Sequence, residues 1–242
     1  MTASEPPQTG SGAKAPPLSL WLREFQHVPR IWAAPIRRVT TERDPDADGR
    51  PVLVLPGIMS GDHATSLLRR SIDAAGYRAH GSNFRLVTGI TPETLAKAQR
   101  RLVEICEAEN RKVTLVGHSL GGIYARVLAQ RNPDLVSMVL TLGTPFSGNR
   151  RANNAWRLYE AINDHKVDAP SLPDDPSLKP PVHTIALWSP FDGVIAPPCA
   201  RGTSNERDIA IEVPFEHFAM ATHRGSIAKI IEILNQHRAY AS

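Results

Sequence analysis

Apolar and polar positions fall along the chain in blocks of two kinds. Pro51 to Leu55 is a short apolar run that ends in Pro56-Gly57, and Val136 to Leu142 is another, leading to Gly143-Thr144-Pro145. Lys112 to Val116 carries Val113, Leu115 and Val116 and runs straight into Gly117-His118-Ser119-Leu120-Gly121-Gly122. Short apolar runs bounded by turn residues read as strands buried on both faces. Tyr77 to Phe84, Val182 to Trp188 and Ile209 to Val213 read as further strands. Between them lie segments with helical spacing: 62 to 75, Pro92 to about Asn110, Ile123 to Arg131, and Ser226 to His237. Pro92 stands where a helix tolerates proline best, in its first turn. The alternation predicts an α/β architecture, a mostly parallel central sheet flanked by helices.

Two stretches break this rhythm. Residues 1 to 17 are polar and Pro-rich without periodicity, which predicts a tail of no fixed structure. The remainder, 18 to 242, reads as a single domain. From Leu18 to Ile36 the residues Leu20, Trp21, Phe25, Val28, Ile31 and Trp32 recur at helical spacing, cut by Pro29 and Pro35 into one or two short helices. These helices either pack on the core or, with Arg23, Arg30, Arg37 and Arg38 beside the aromatics, make weak contact with a membrane surface. Residues 146 to 181 hold one helical stretch, Ala155 to Ile162, and then a polar, Pro-rich loop. A long insertion in a compact domain is usually functional or mobile.

Composition narrows the class. Hydrophobic residues at 41% and charged residues at 21% describe a folded globular chain and not a fibrous or disordered one. Basic residues exceed acidic ones by 28 to 24, but the pairs Arg69-Arg70, Arg100-Arg101 and Arg150-Arg151 do not merge into a run, so no nucleic-acid partner is expected. The two cysteines, Cys106 and Cys199, are too few for a metal cluster, and a chain of this size needs no bridge between them. The start of the chain has no basic head followed by an apolar run, and no stretch approaches the roughly eighteen apolar residues that span a bilayer. A cytoplasmic location is the expectation.

The chemistry centres on Gly117-His118-Ser119-Leu120-Gly121. A Gly-x-Ser-x-Gly match alone would arise by chance in roughly one chain in ten of this length. Its position, at the junction of a buried strand and a helix, makes it specific. A sharp turn there needs small flanking residues, lifts the hydroxyl clear of the sheet, and aims the first helical amides at any oxyanion beside it. A serine hydroxyl needs a base, and the base needs a carboxylate to orient it. Asp192 lies just past the strand Val182 to Trp188, whereas Asp164, Asp168, Asp174 and Asp175 lie in the insertion, where no strand end fixes them. For the base, His217 and His223 both follow Asp192, and order alone does not separate them. His217 is nearer the last strand end and is preferred. His118 neighbours the nucleophile in a sharp turn, so its side chain should point away from that of Ser119. The other histidines show no metal spacing. An oxyanion would be held by the backbone amides of Leu120 and of Ile58, in the loop after the first strand.

Together these residues resemble the lipase and esterase branch of the α/β-hydrolase family, over about residues 50 to 238. Gly117 to Arg126 and Leu142 to Gly148 are the most lipase-like parts. The family's His-Gly oxyanion dipeptide stands as Pro56-Gly57 here, its Ser-x-x-Asp-x-x-Val as Ser189, Asp192 and Ile195, and its Gly-His as Glu216-His217. The resemblance implies ester hydrolysis through an acyl-enzyme, with catalytic Ser119, Asp192 and His217, no cofactor and no metal. The resemblance also implies that residues 146 to 181 form a small cap over the pocket; the substrate would be a small-molecule or lipid ester, and the cap residues Phe146 and Trp156 would belong to an acyl pocket. Transfer of the acyl group to another acceptor, thioester cleavage, and a non-catalytic binding module on the same fold stay open at this point.

Overall fold

The computed structural model describes residues 12–34, 36–37 and 39–237. The expected tail therefore lies outside the described residues as far as residue 11. Residues 12–17 run beside the insertion, where the Asn149 and Asn154 side chains donate to the carbonyls of Ala13 and Pro16.

Six strands form one sheet: β1 (Pro51–Leu55), β2 (Arg78–Gly81), β3 (Val113–His118), β4 (Val136–Leu142), β5 (His183–Trp188) and β6 (Ile209–Glu212). Every pairing is parallel, in the order β2-β1-β3-β4-β5-β6. The helices are α1 (Leu18–Glu24), α2 (Val28–Trp32), α3 (Ser66–Ala74), α4 (Pro92–Glu109), α5 (Leu120–Arg131), α6 (Trp156–Ile162), α7 (Pro197–Arg201) and α8 (Arg224–Gln236). Along β1, Val52 and Val54 join the apolar cluster made with α3 and α8, while Leu53 and Leu55 join the one made with α4 and α5. This two-residue alternation buries both faces of the sheet, which is why the strands read as continuous apolar runs.

The topology creates the crevice. After β1 the chain passes to the α3 face, and after β3 it passes to the α5 face, although β1 and β3 are neighbours. Connections that leave adjacent strands in opposite directions open a gap at their carboxyl ends, and ligands of open α/β sheets bind there.

Several elements differ from the expectation. The second strand stops at Gly81 because Asp62 captures the Ser82 and Asn83 amides, at 3.0 and 2.8 Å, and draws them out of the ladder. Helix α4 begins where Pro92 predicted it, fastened by a reciprocal capping pair between Thr91 and Thr94. Helix α7, unforeseen, starts on Pro197-Pro198. The N-terminal segment forms α1 and α2 joined by a tight turn, and Pro29 sits in the first turn of α2 without breaking it. Among its apolar residues Leu18, Leu22, Phe25 and Trp32 are exposed, whereas Trp21 packs against the buried cluster of Val194, Ile195 and Cys199; Glu24 and His27 are buried.

Candidate active site

Ser119 stands between β3 and α5 with φ 54° and ψ −123°, outside the conformations that residues with a side chain prefer. Such a backbone costs on the order of 1–3 kcal/mol and persists only where its surroundings enforce it. Here the Ser119 N–H donates to the Leu142 carbonyl at 2.8 Å. A Cβ at Gly117 would overlap the Gly121–Gly122 main chain, and one at Gly121 would overlap the Leu55 carbonyl, so the turn closes only with glycine at both. Ser119 Oγ makes no hydrogen bond to another described residue, and the serine lines a cavity of about 150 Å³.

The carboxylate and imidazole form a buried pair. Asp192 follows β5, and its Oδ1 accepts from the amides of Val194 and Ile195 at 2.8 and 2.7 Å. Its Oδ2 lies 2.8 Å from His217 Nδ1, with both side chains 1% exposed. Burial opposes a charged His217, but the Asp192 charge and hydrogen bond, aided by Glu24, outweigh it and raise the imidazole pKa above its ordinary value. With Nδ1–H donating to Asp192, the lone pair falls on Nε2, which has no hydrogen bond to a described residue.

Ser119 and this pair meet at one corner of the sheet. Leu142 accepts the Ser119 amide, and at the next residue, Gly143, a Cβ would lie 2.9 Å from both Asp192 Oδ2 and His217 Nδ1. The His118 ring stands 4.9 Å from that of His217. No hydrogen bond joins Ser119 Oγ to His217 among the described residues. Contacts of this kind often tighten only when substrate is bound.

The loop after β1 runs beside the serine, because a Cβ at Gly57 would lie 3.1 Å from Ser119 Cβ. Ser60 Oγ donates to the Gly57 carbonyl and the Met59 amide donates to Val87, which together pin the loop. The amides of Ile58 and Leu120 donate to no described residue, and both residues line the Ser119 cavity. Two free amides beside one hydroxyl are suited to hold a developing oxyanion.

The competing side chains have other partners. Asp168 pairs with Arg151, Asp174 with Arg131, and Asp175 accepts from Ser177. His223 caps α8 by accepting from the Gly225 amide. Trp156 lines the cavity with Tyr159, Ile123 and Leu172. Phe146 does not: it is buried with the Arg126 guanidinium 4.0 Å above its ring. Both thiols are free. Two further residues surround His217: His118, set aside in the sequence as a neighbour of Ser119, donates from Nε2 to the His217 carbonyl, and Glu24, which sequence reasoning passed over, accepts the His217 amide.

The chain has the fold of the α/β-hydrolase superfamily, a parallel sheet flanked by helices on both faces. Residues 91–188 match the family described as the PGAP1-like alpha/beta domain. Among solved structures, the chain is similar to a monoacylglycerol lipase from Paleococcus ferrophilus, with 15% identity and a TM-score of 0.54 over 78% of this chain and 96% of that one. It is also similar to naproxen esterase (carboxylesterase NP) from Bacillus subtilis, with 13% identity and a TM-score of 0.54 over 90% and 97%. The thioesterase domain from the curacin biosynthetic pathway aligns at 16% identity and a TM-score of 0.55 over 78% and 92%.

Proposed function

We propose that this protein is a serine hydrolase that cleaves carboxylic esters through an acyl-enzyme. The observation that carries the reading is the buried Asp192–His217 pair, whose Nε2 is left free at the corner where Ser119 stands with an uncommitted hydroxyl. His217 takes the Ser119 proton as Oγ attacks the ester carbonyl, and the amides of Ile58 and Leu120 hold the oxygen as it becomes negative. Collapse of the tetrahedral species expels the alcohol, which leaves with the proton from His217. Water then attacks the acyl-enzyme with His217 again as base, releasing the acid and restoring Ser119. Asp192 fixes the imidazole tautomer and stabilises the imidazolium in both steps. The insertion 146–181 acts as the cap over an apolar acyl pocket, because Trp156, Tyr159 and Leu172 supply cavity wall together with Ile123 of α5.

A fluorophosphonate probe tests the mechanism. Labelling at Ser119, abolished in S119A, is expected; folded protein left unlabelled sinks the reading and leaves a binding module on this fold. Hydrolysis rates across p-nitrophenyl esters of increasing acyl length then define the substrate. Likeness to a thioesterase domain favours one second reading, in which the same acyl-enzyme forms from a thioester or passes to another acceptor. Product analysis with competing alcohols separates hydrolysis from transfer.

Leu18 and Leu22 on α1, with Phe25 just past its end, expose an apolar stripe at helical spacing that supports weak contact with a membrane surface, joined by Trp32 at 74% exposure. Among the described residues no helix is long and apolar enough to cross a membrane. Unchanged vesicle sedimentation after L22S and W32S together counts against that contact.

A further inference from the structure

The N-terminal helix α1 sends one carboxylate into the interior. Glu24 is 1% exposed. Its Oε1 accepts the amides of Gly193 and His217, each at 2.8 Å, and its Oε2 accepts the amide of Phe218 at 3.0 Å. Gly193 is the residue after Asp192, so one side chain binds the loop of the acid and the loop of the base together. These partners lie 169 to 194 residues away in sequence. No basic side chain pairs with Glu24 among the described residues; Arg23 beside it turns to Glu216 instead.

A buried carboxylate without a cation is costly unless hydrogen bonds offset its lost hydration, and three main-chain donors do so. A clamp alone could be neutral. Placing a second negative charge beside the imidazole has a further effect, because it favours the imidazolium that forms when His217 takes a proton. The groups facing His217 are Asp192 at Nδ1, Glu24 at the amide, and His118 at the carbonyl. Its chain neighbour Glu216 is paired with Arg23 and lies 3.4 Å from His27.

We propose that Glu24 is a positioning residue of the site, locking the Asp192 and His217 loops in register and lending charge to the base. The proposal rests on the reading of Ser119, Asp192 and His217 as the reacting set.

The test compares full-length wild type, E24Q and E24A, each checked for fold by circular dichroism. E24Q retains one carbonyl oxygen for two amides but removes the charge and turns an NH₂ toward the third. A loss of about tenfold in kcat with KM nearly unchanged is expected for E24Q, and about a hundredfold for E24A, since small displacements of a reacting group carry losses of that size. The acid limb of the kcat/KM profile should also move to lower pH in E24Q, which a purely structural clamp would not cause. E24Q that is folded and keeps the wild-type kcat and pH profile overturns the proposal. Loss of fold in both variants also overturns it, assigning Glu24 to stability alone. If wild type neither hydrolyses esters nor labels with fluorophosphonate, the reaction reading fails by itself. The His217 Nδ1 proton and its titration, followed by NMR in wild type and E24Q, then decide Glu24: a shifted resonance and lowered pKa support it, and identical spectra overturn it.

Discussion

His118 Nε2 lies 3.0 Å from the main-chain oxygen of His217, so the residue preceding the candidate nucleophile holds the residue proposed as its base. Because a carbonyl only accepts, Nε2 carries the hydrogen. Burial first, and then the nearby His217 charge, push the His118 pKa down to about 3, so it remains a neutral donor throughout the range in which His217 titrates. H118F keeps the ring but leaves that carbonyl unsatisfied. A stability loss of about 1–3 kcal/mol is expected in urea unfolding, the cost of one buried group without its partner. The kcat/KM value should fall with it, whereas the acid limb should stay a single histidine titration.

In the proposed mechanism the pH dependence of kcat/KM belongs to the Asp192–His217 pair. Since only unprotonated His217 can accept the serine proton, and its pKa is raised above 6.5, half-maximal kcat/KM should lie above pH 6.5 in wild type. In D192N only the smaller Glu24 effect opposes burial, so the limb should move to lower pH while kcat falls by about 10⁴. The stability sign is opposite. A pKa raised by folding contributes stability below the unfolded value, and that contribution is lost as pH climbs through the folded one. Melting curves from pH 5 to 8 should show D192N losing ground to wild type mainly at the acid end. A limb that does not move in D192N excludes this pair as the source of the profile.

Much of this arrangement was legible because local rules and the fold agree. Gly117 and Gly121 flank Ser119 for steric reasons that operate within one turn, and Asp192 and His217 each follow a strand whose apolar run marks its end. What escaped notice depends on partners distant in sequence. In α1 the helical spacing of the apolar residues left core packing and membrane-surface contact both open, and gave no sign that Glu24 turns inward beside Trp21. Three main-chain donors from loops that follow β5 and β6 hold Glu24, and partners so distant in sequence leave no local trace. The end of β2 was misplaced for a similar reason, as Asp62 takes its amides from twenty residues upstream. Phe146 reads as an acyl-pocket residue only until Arg126 is seen above its ring.

Gly143 tests how tightly the corner is packed. It has φ 55°, and a Cβ there would sit 2.9 Å from both Asp192 Oδ2 and His217 Nδ1. G143A therefore combines a strained backbone, about 1–2 kcal/mol, with displacement of the acid or the imidazole. The expected outcome is a modest fall in melting temperature and a loss of about a hundredfold in fluorophosphonate labelling rate, on the scale of a misplaced reacting group. A labelling rate equal to wild type would show that the Asp192–His217 contact tolerates displacement without consequence.

The last prediction concerns Arg126, which couples the helix behind the serine to the insertion. It is buried on α5, and its guanidinium donates to the carbonyls of Pro176, Ser177, Leu178 and Glu206. Burial lowers its pKa to about 10, against the pull of Glu206 and Asp175, so it remains a cation at neutral pH. Gln130 and Arg131 extend the same seam, to the Asp175 and Leu178 carbonyls and to Asp174. A planar fork suits several carbonyls at once, and an ammonium does not. R126K should therefore recover only part of what R126A loses, the full loss being about 3 kcal/mol for charge-assisted bonds left unmade. Because Asp174 and Pro176 line the cavity beside Ser119, the loosened insertion should raise KM for long acyl esters more than for acetate. Equal KM changes for short and long esters would mean that Arg126 stabilises the fold without shaping the pocket.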